Sequence, residues 1–257
     1  MFYSKNPVFS EKSIVKAEVL QENVLYPMRM FEHLYADYTD GIVTGVRLQA
    51  KDTDELLLSP GIIKYQGRLY HMEESACVEF EHNNRMNYLK IRFDNGERTS
   101  DGELFHTQVL LTSEEASFPY EMELGRFFTE AGAQLIDHAH HFEDFFIEHN
   151  HIDVRHVPYS ARTEATISPE ITVAFARDML QKQEKGEADI CFCMQCLRKE
   201  PVDREIICAY ISAKTGRPFE KMNNAQMCEA LLSILKKGRT MVAERQTFRE
   251  RRSIIVD

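Results

Sequence analysis

The sequence predicts an α+β protein: a β-rich antiparallel module, sandwich or barrel-like, followed by a small four-helix module. Three observations predict it. Short apolar runs of strand length recur between Gly41 and Phe128, separated by Gly, Pro, Asn, Asp and Ser. A Ser168-Pro169 helix start then opens a region whose apolar residues follow a helical period. Between the two lies an acidic segment that carries six of the histidines. The expected organisation is a β-rich module with one short helix over 1–130, an acidic His-rich connecting segment over 131–167, a helical bundle over 168–238 and a basic tail over 239–257.

At 257 residues the chain has room for one large or two ordinary domains, each able to bury a core. A formal net charge of −10 argues against an extended basic face for nucleic acid, because phosphate binding needs clustered Lys and Arg. No apolar run reaches the roughly 18 residues of a membrane helix, and MFYSKNPVFSEK has no signal-peptide core, so synthesis in the cytoplasm is expected. The six cysteines, Cys77, Cys191, Cys193, Cys196, Cys208 and Cys228, are then expected as reduced thiols.

In chain order, Met1 to Val24 fits either strands or a helix face, with Ile14, Val15, Val19 and Leu20 as its apolar positions. Pro27 suits the first turn of a short helix whose face carries Met30, Phe31 and Leu34. Val46, Leu48 and Ala50 alternate with polar residues, as along a strand, and Asp52-Thr53-Asp54 breaks the run. Leu56 to Leu58 resumes it, and Ser59-Pro60-Gly61 is a turn. Ile62 to Tyr65 and Arg68 to His71 flank Gln66-Gly67, the spacing of a two-residue hairpin in which Ile63 faces Tyr70 and Tyr65 faces Arg68. Further strands are expected at Cys77 to Phe80, Tyr88 to Phe93, Leu104 to Leu111 and Tyr120 to Phe128, with a long, polar, mobile loop or contact surface at Asp94 to Gly102.

The motifs Gly41-Ile42-Val43-Thr44-Gly45, Ser59-Pro60-Gly61 and Gly67-Arg68-Leu69-Tyr70, each followed or preceded by a strand, resemble the N-terminal modules of bacteriophage tail and baseplate-periphery proteins. Tyr120 to Arg126 resembles the strand near the end of the same module, so the resemblance covers Gly41 to Phe128. It implies a structural adaptor that binds other tail or baseplate proteins, often within trimeric assemblies, and is incorporated into a virion or tail-like particle. It supplies no catalytic, cofactor-binding or metal-binding residues.

In the second half, Ser168 can cap free N–H groups, Ile171, Phe175 and Met179 recur at i, i+4 and i+8, and Gly186 is a stop. A second helix is expected over Ala188 to Lys199, a third from Pro201 to Gly216, and a fourth capped by Asn223 or Asn224, with Met227, Leu231, Ile234 and Leu235 on one face and Gly238 closing it. The tail carries Arg245, Arg249, Arg251 and Arg252 and ends in the strand-like Ile254-Ile255-Val256.

Four constellations bear on chemistry. His138, His140, His141, His149, His151 and His156, interleaved with acids, are competent metal ligands, but no HExxH-type spacing orders them; a solvated linker is the simpler reading. Cys191, Cys193 and Cys196 have C-x-C-x-x-C spacing, yet on a helix Cys191 lies about 160° from Cys193, so the three cannot meet one metal. Cys193 is expected on an apolar face with Ile190, Met194 and Leu197. A cysteine–histidine nucleophile pair lacks any local signature, and no GxSxG, P-loop or GxGxxG occurs. The arginine-rich tail supports the alternative reading of a cytoplasmic regulatory or nucleic-acid-associated binding protein. The adaptor reading, non-enzymatic and without cofactor or metal, is preferred.

Overall fold

The computed structural model describes residues 16–99, 102–218 and 221–237. Its strands are β1 (Gly41–Gly45), β2 (Leu48–Ala50), β3 (Glu55–Leu58), β4 (Gly61–Tyr65), β5 (Arg68–Met72), β6 (Ala76–Glu79), β7 (Met86–Phe93), β8 (Glu97–Thr99), β9 (Gly102–Leu104), β10 (Thr107–Thr112) and β11 (Glu121–Phe128). Its helices are α1 (Ala17–Leu34), α2 (Pro169–Leu180), α3 (Glu187–Cys196), α4 (Arg204–Thr215) and α5 (224–237). The fold class is α+β: α1, then the antiparallel sheets, then α2 to α5. Packing divides the chain into two units, Met1–Tyr38 and Thr39–Asp257.

In the first unit α1 begins at Ala17 rather than at Pro27, which lies inside the helix. Strong helix formers, Glu18, Leu20, Gln21 and Glu22, precede the proline and outweigh the one backbone hydrogen bond it forgoes.

In the second unit, three antiparallel three-stranded sheets, in the orders β1-β4-β5, β2-β3-β6 and β10-β7-β11, share one core. Ile42 and Ile63 come from the first, Leu56 and Leu58 from the second, Leu89 and Leu124 from the third. The β4–β5 hairpin has the expected register, Ile63 opposite Tyr70 and Tyr65 opposite Arg68. Its turn places Gln66 at φ 47° and Gly67 at φ 77°, the two positive angles of a type I′ turn. A Cβ at Gly67 would meet nothing within 4 Å. Gly67→Val therefore carries only backbone strain, and chemical denaturation should show a loss of about 1–2 kcal/mol.

Two strand expectations change. The alternation from Val46 to Ala50 is not one strand: β1 ends at Gly45, Val46 turns at φ 54°, and Leu48–Ala50 belongs to another sheet. Val46 and Leu48 both lie in the core on either side of this change of sheet. Leu104 to Leu111 divides at Phe105 and His106 into β9 and β10, and the stretch expected as a polar loop contributes β8, which pairs with β9. There the Arg68 guanidinium covers the Phe105 ring at 3.7 Å, which gives an aromatic in a polar stretch its partner.

In the helical region Ser168 caps α2, its Oγ accepting from the Glu170 N–H at 3.2 Å, and Pro169 occupies the first turn. Phe175 sits at the centre of this core, edge-on to the rings of Phe142, Phe192 and Tyr210. Gly186 does not stop α2, which ends at Leu180; it precedes α3. Pro201 does not start α4, whose N-cap is Asp203, while Gly216 closes that helix at φ 68°. Asn223 caps α5 by a reciprocal exchange with Gln226, each amide oxygen accepting a backbone N–H at 2.9 Å. Gly238 lies outside the described residues.

Candidate functional site

The histidine-bearing segment is built into both cores of the second unit. Leu135, Ile152 and Val157 lie in the sheet core, and Phe142 and Phe145 in the helical core. Its backbone is tied to β11 by Asp153 and Arg126, which exchange N–H···O bonds of 2.8 and 3.0 Å, and to itself by Ile152 and Ile136 at 3.0 Å. A short 3-10 helix, Phe142–Phe146, interrupts it. The Asp144 carboxylate accepts the N–H groups of His140 and His141, both at 2.8 Å. Those bonds, His141's first, hold Asp144 below its ordinary pKa although burial opposes them.

The six histidines point to different partners. His138 meets Asp137 at 3.1 Å, His141 meets the buried Asp178 at 3.1 Å, and His149 meets Glu130 at 3.1 Å. His140 packs edge-on against His138, and His156 stands 4.0 Å from Asp153. His151 is 3 % exposed, and neither ring nitrogen has a hydrogen-bond partner. Burial pushes its pKa down; the nearby backbone of His138 and Ile152 opposes this without reaching hydrogen-bond geometry to either ring nitrogen. Among the described residues no three His, Cys, Asp or Glu side chains converge as a metal would require.

On α3 the buried side chains are Asp189, Phe192, Cys193 and Cys196, while Ile190, Met194 and Leu197 face outward. The expected apolar face is therefore rotated. Apolar residues surround this helix, and periodicity alone cannot choose among its sides. Asp189, missed in the sequence, decides the orientation: its carboxylate accepts from the Tyr210 hydroxyl at 2.7 Å, Lys214 at 2.8 Å and the Gly186 N–H at 2.8 Å. Burial raises its pKa, but these three bonds outweigh it and leave it lowered. Burial pushes Cys193 up to about 11 and Cys196 and Cys228 up to about 12, so these thiols stay protonated and are poor nucleophiles. The arginines of 239–257, and Ile254 to Val256, lie outside the described residues.

A second ionic assembly lies on the polar side of β7. Tyr88, Lys90 and Arg92 project there, opposite Leu89, Ile91 and Phe93, as the alternation predicts. The side chains of Lys90 and Glu121 are each 4 % exposed and meet at 2.8 Å. Glu121 also accepts from Arg92 at 2.6 Å and from the Ser117 N–H at 3.0 Å. Burial opposes ionisation of Glu121, but the Lys90, Ser117 and Arg92 bonds dominate and lower its pKa to about 2. Lys90 additionally donates to the carbonyls of Glu114 and Glu115. The loop between β10 and β11 is thus fastened at its base by charge, while Phe118 at its tip is 89 % exposed and the adjoining Tyr120 60 %. Exposed aromatic side chains on an anchored loop suit protein recognition, because each offers a large apolar area with few rotamers to freeze on binding.

No protein-family model matches the chain, and no curated protein matches its sequence. Solved structures that are similar include a crystal structure of TssK, at 10 % identity and a TM-score of 0.39, covering 91 % of this chain and 69 % of that one. Another is the TssK-TssF-TssG baseplate subcomplex of the type VI secretion system, determined by cryo-electron microscopy, at 7 % identity and a TM-score of 0.42, covering 92 % and 100 %. A third is TssK from T6SS EAEC in complex with nanobody nb18, at 9 % identity and a TM-score of 0.47, covering 85 % and 96 %.

Proposed function

We propose that this chain is a structural adaptor in a phage-like tail or baseplate assembly, binding other assembly proteins through its β-rich module and performing no reaction. The observation that supports the reading most directly is the meeting of two of its three glycine-bearing motifs. Gly45, which ends DGIVTG, stands opposite Gly61, which ends SPG, in the β1–β4 register. Motifs separated in sequence thereby form one structural element, which supports reading them as parts of a single module. The Phe118–Tyr120 loop gives such a module a contact surface. Among the described residues no helix is long and apolar enough to cross a membrane.

In this reading the chain is a homo-oligomer, the sheet module docks on the assembly and the helices meet a second partner. Two measurements test it: the mass of the purified protein in solution, and its co-purification with tail or baseplate proteins encoded beside it. An oligomer that captures such a protein is the expected result. Phe118→Ser with Tyr120→Ser should weaken that capture by about a hundredfold without moving the unfolding midpoint. A monomer at high concentration that binds none of these proteins would overturn the reading.

A further inference from the structure

A cavity of about 370 Å³ lies between the sheet core and α2. Its volume falls within the range of small-molecule sites and has room for about a dozen non-hydrogen atoms. Val46, Leu48 and Ile152 form one apolar wall and Val173 and Ala174 the other. The polar lining is unequal in charge. Arg47 is already paired with Glu170 at 3.1 Å, and Asp137 is occupied by the Ala50 N–H at 2.9 Å and by His138. Arg177 and Lys199 also line the cavity, both exposed, and among the described residues neither has an ion-pair partner. His151 lines it from within.

The imidazole is the group that a core should not contain. A buried polar atom left without a partner costs on the order of 1–3 kcal/mol, and here both ring nitrogens are in that position. The ring has little freedom to escape, because the backbone on either side is fixed: Ile152 bonds to Ile136, and the Asn150 carbonyl accepts from the Ile136 N–H at 2.8 Å. A donor held in place beside an apolar wall, with two unpaired cations on the same lining, describes the complement of an amphipathic anion.

We propose that this cavity binds a small organic monocarboxylate, with its apolar body against Val46, Leu48, Ile152 and Val173 and its carboxylate accepting from His151 under the charge of Arg177 and Lys199. The ligand is a free branched-chain or aromatic acid, not the carboxyl end of a protein. An occupant of this kind satisfies the buried imidazole and the aliphatic wall together.

The test titrates the full chain with 4-methylpentanoate, phenylacetate, their neutral amides and a short peptide ending in a leucine carboxylate. Calorimetry and the ring resonances of labelled histidine are followed. Saturable binding of an acid that moves the His151 resonances, with the matching amide at least about tenfold weaker, is the expected result. Arg177→Gln with Lys199→Gln alters only exposed side chains; it should weaken acid binding by about tenfold or more while the unfolding midpoint stays put. His151→Gln identifies the shifted resonance, and the double variant stands in if that protein fails to fold. Binding of the peptide alone, equal binding of acid and amide, or His151 resonances unmoved by every ligand because water alone fills the space, would each overturn the proposal.

Discussion

Gly45→Val is expected to abolish folding of the β-rich module. Gly45 has φ +67°, and a Cβ placed there would lie 2.0 Å from the Pro60 carbonyl oxygen and 2.7 Å from the Gly61 Cα. Neither is the flexible end of a side chain, so β1 and β4 would have to separate. Strain at a positive φ accounts for only about 1–2 kcal/mol; lost pairing and exposed core take the total beyond about 4 kcal/mol, most of the stability of an ordinary domain. Gly67→Val is the matched control, since it shares the sign of φ but meets no atom. The expected outcome is insoluble or unfolded protein for the first and a folded, slightly less stable protein for the second, read by circular dichroism and denaturant titration. Equal effects would show that conformational strain alone, and not the close approach of two strands, governs both positions.

The second large effect is expected at the Lys90–Glu121 pair. Lys90→Met leaves the Glu121 carboxylate buried with only Arg92 and the Ser117 N–H, and removing one member of a buried pair costs about 3–5 kcal/mol. Pairing Lys90→Met with Glu121→Leu should recover much of that loss, because an apolar pair of similar volume has no charge to desolvate. The pH dependence has a definite sign. The folded-state pKa of Glu121 is depressed to about 2, against an ordinary carboxylate value of about 4.3. Its stabilisation is therefore fully present above the ordinary carboxylate range and is lost as pH falls through the folded value. The gap in unfolding midpoint between the native chain and Glu121→Gln should be widest near neutral pH and should close toward pH ~2. A gap that stays constant would exclude ionisation of Glu121 as its source.

These two sites differ in how far the sequence reveals them. The hairpin, the Ser168 cap, the polar and apolar sides of β7 and the buried face of α5 were legible, because each depends on neighbours in sequence: a turn pair, a capping hydroxyl, a period of two, a period of 3.6. The close approach of Gly45 to Pro60 was not, since the alternation Val46, Leu48, Ala50 looks the same whether or not the chain changes sheets. Nor was the orientation of α3, where the three-way contact of Asp189 with Tyr210, Lys214 and Gly186 prevails over a weak apolar pattern. The histidine-bearing segment misleads for a related reason. Its composition is that of a solvated linker, yet Leu135, Phe142, Phe145, Ile152 and Val157 are enough to bury it, and charged groups such as Asp137, Asp153 and Arg155 are left only partly exposed. His151 was visible only as one histidine among several; its unpaired burial depends on tertiary structure alone.

The bonds between residues 39–42 and 158–161 bear on how this protein is made. Thr39 donates to the Ala161 carbonyl at 2.8 Å, Ile42 to that of Pro158 at 2.9 Å, and Ser160 to that of Ile42 at 2.9 Å. Nascent chain that has left the ribosome with its first strands must wait for more than a hundred further residues before β1 gains this neighbour. Loops of such length close slowly, so early strands stay open to chance association during synthesis. Slowing translation before residue 158 should lower the soluble yield, and slowing it after residue 167 should not.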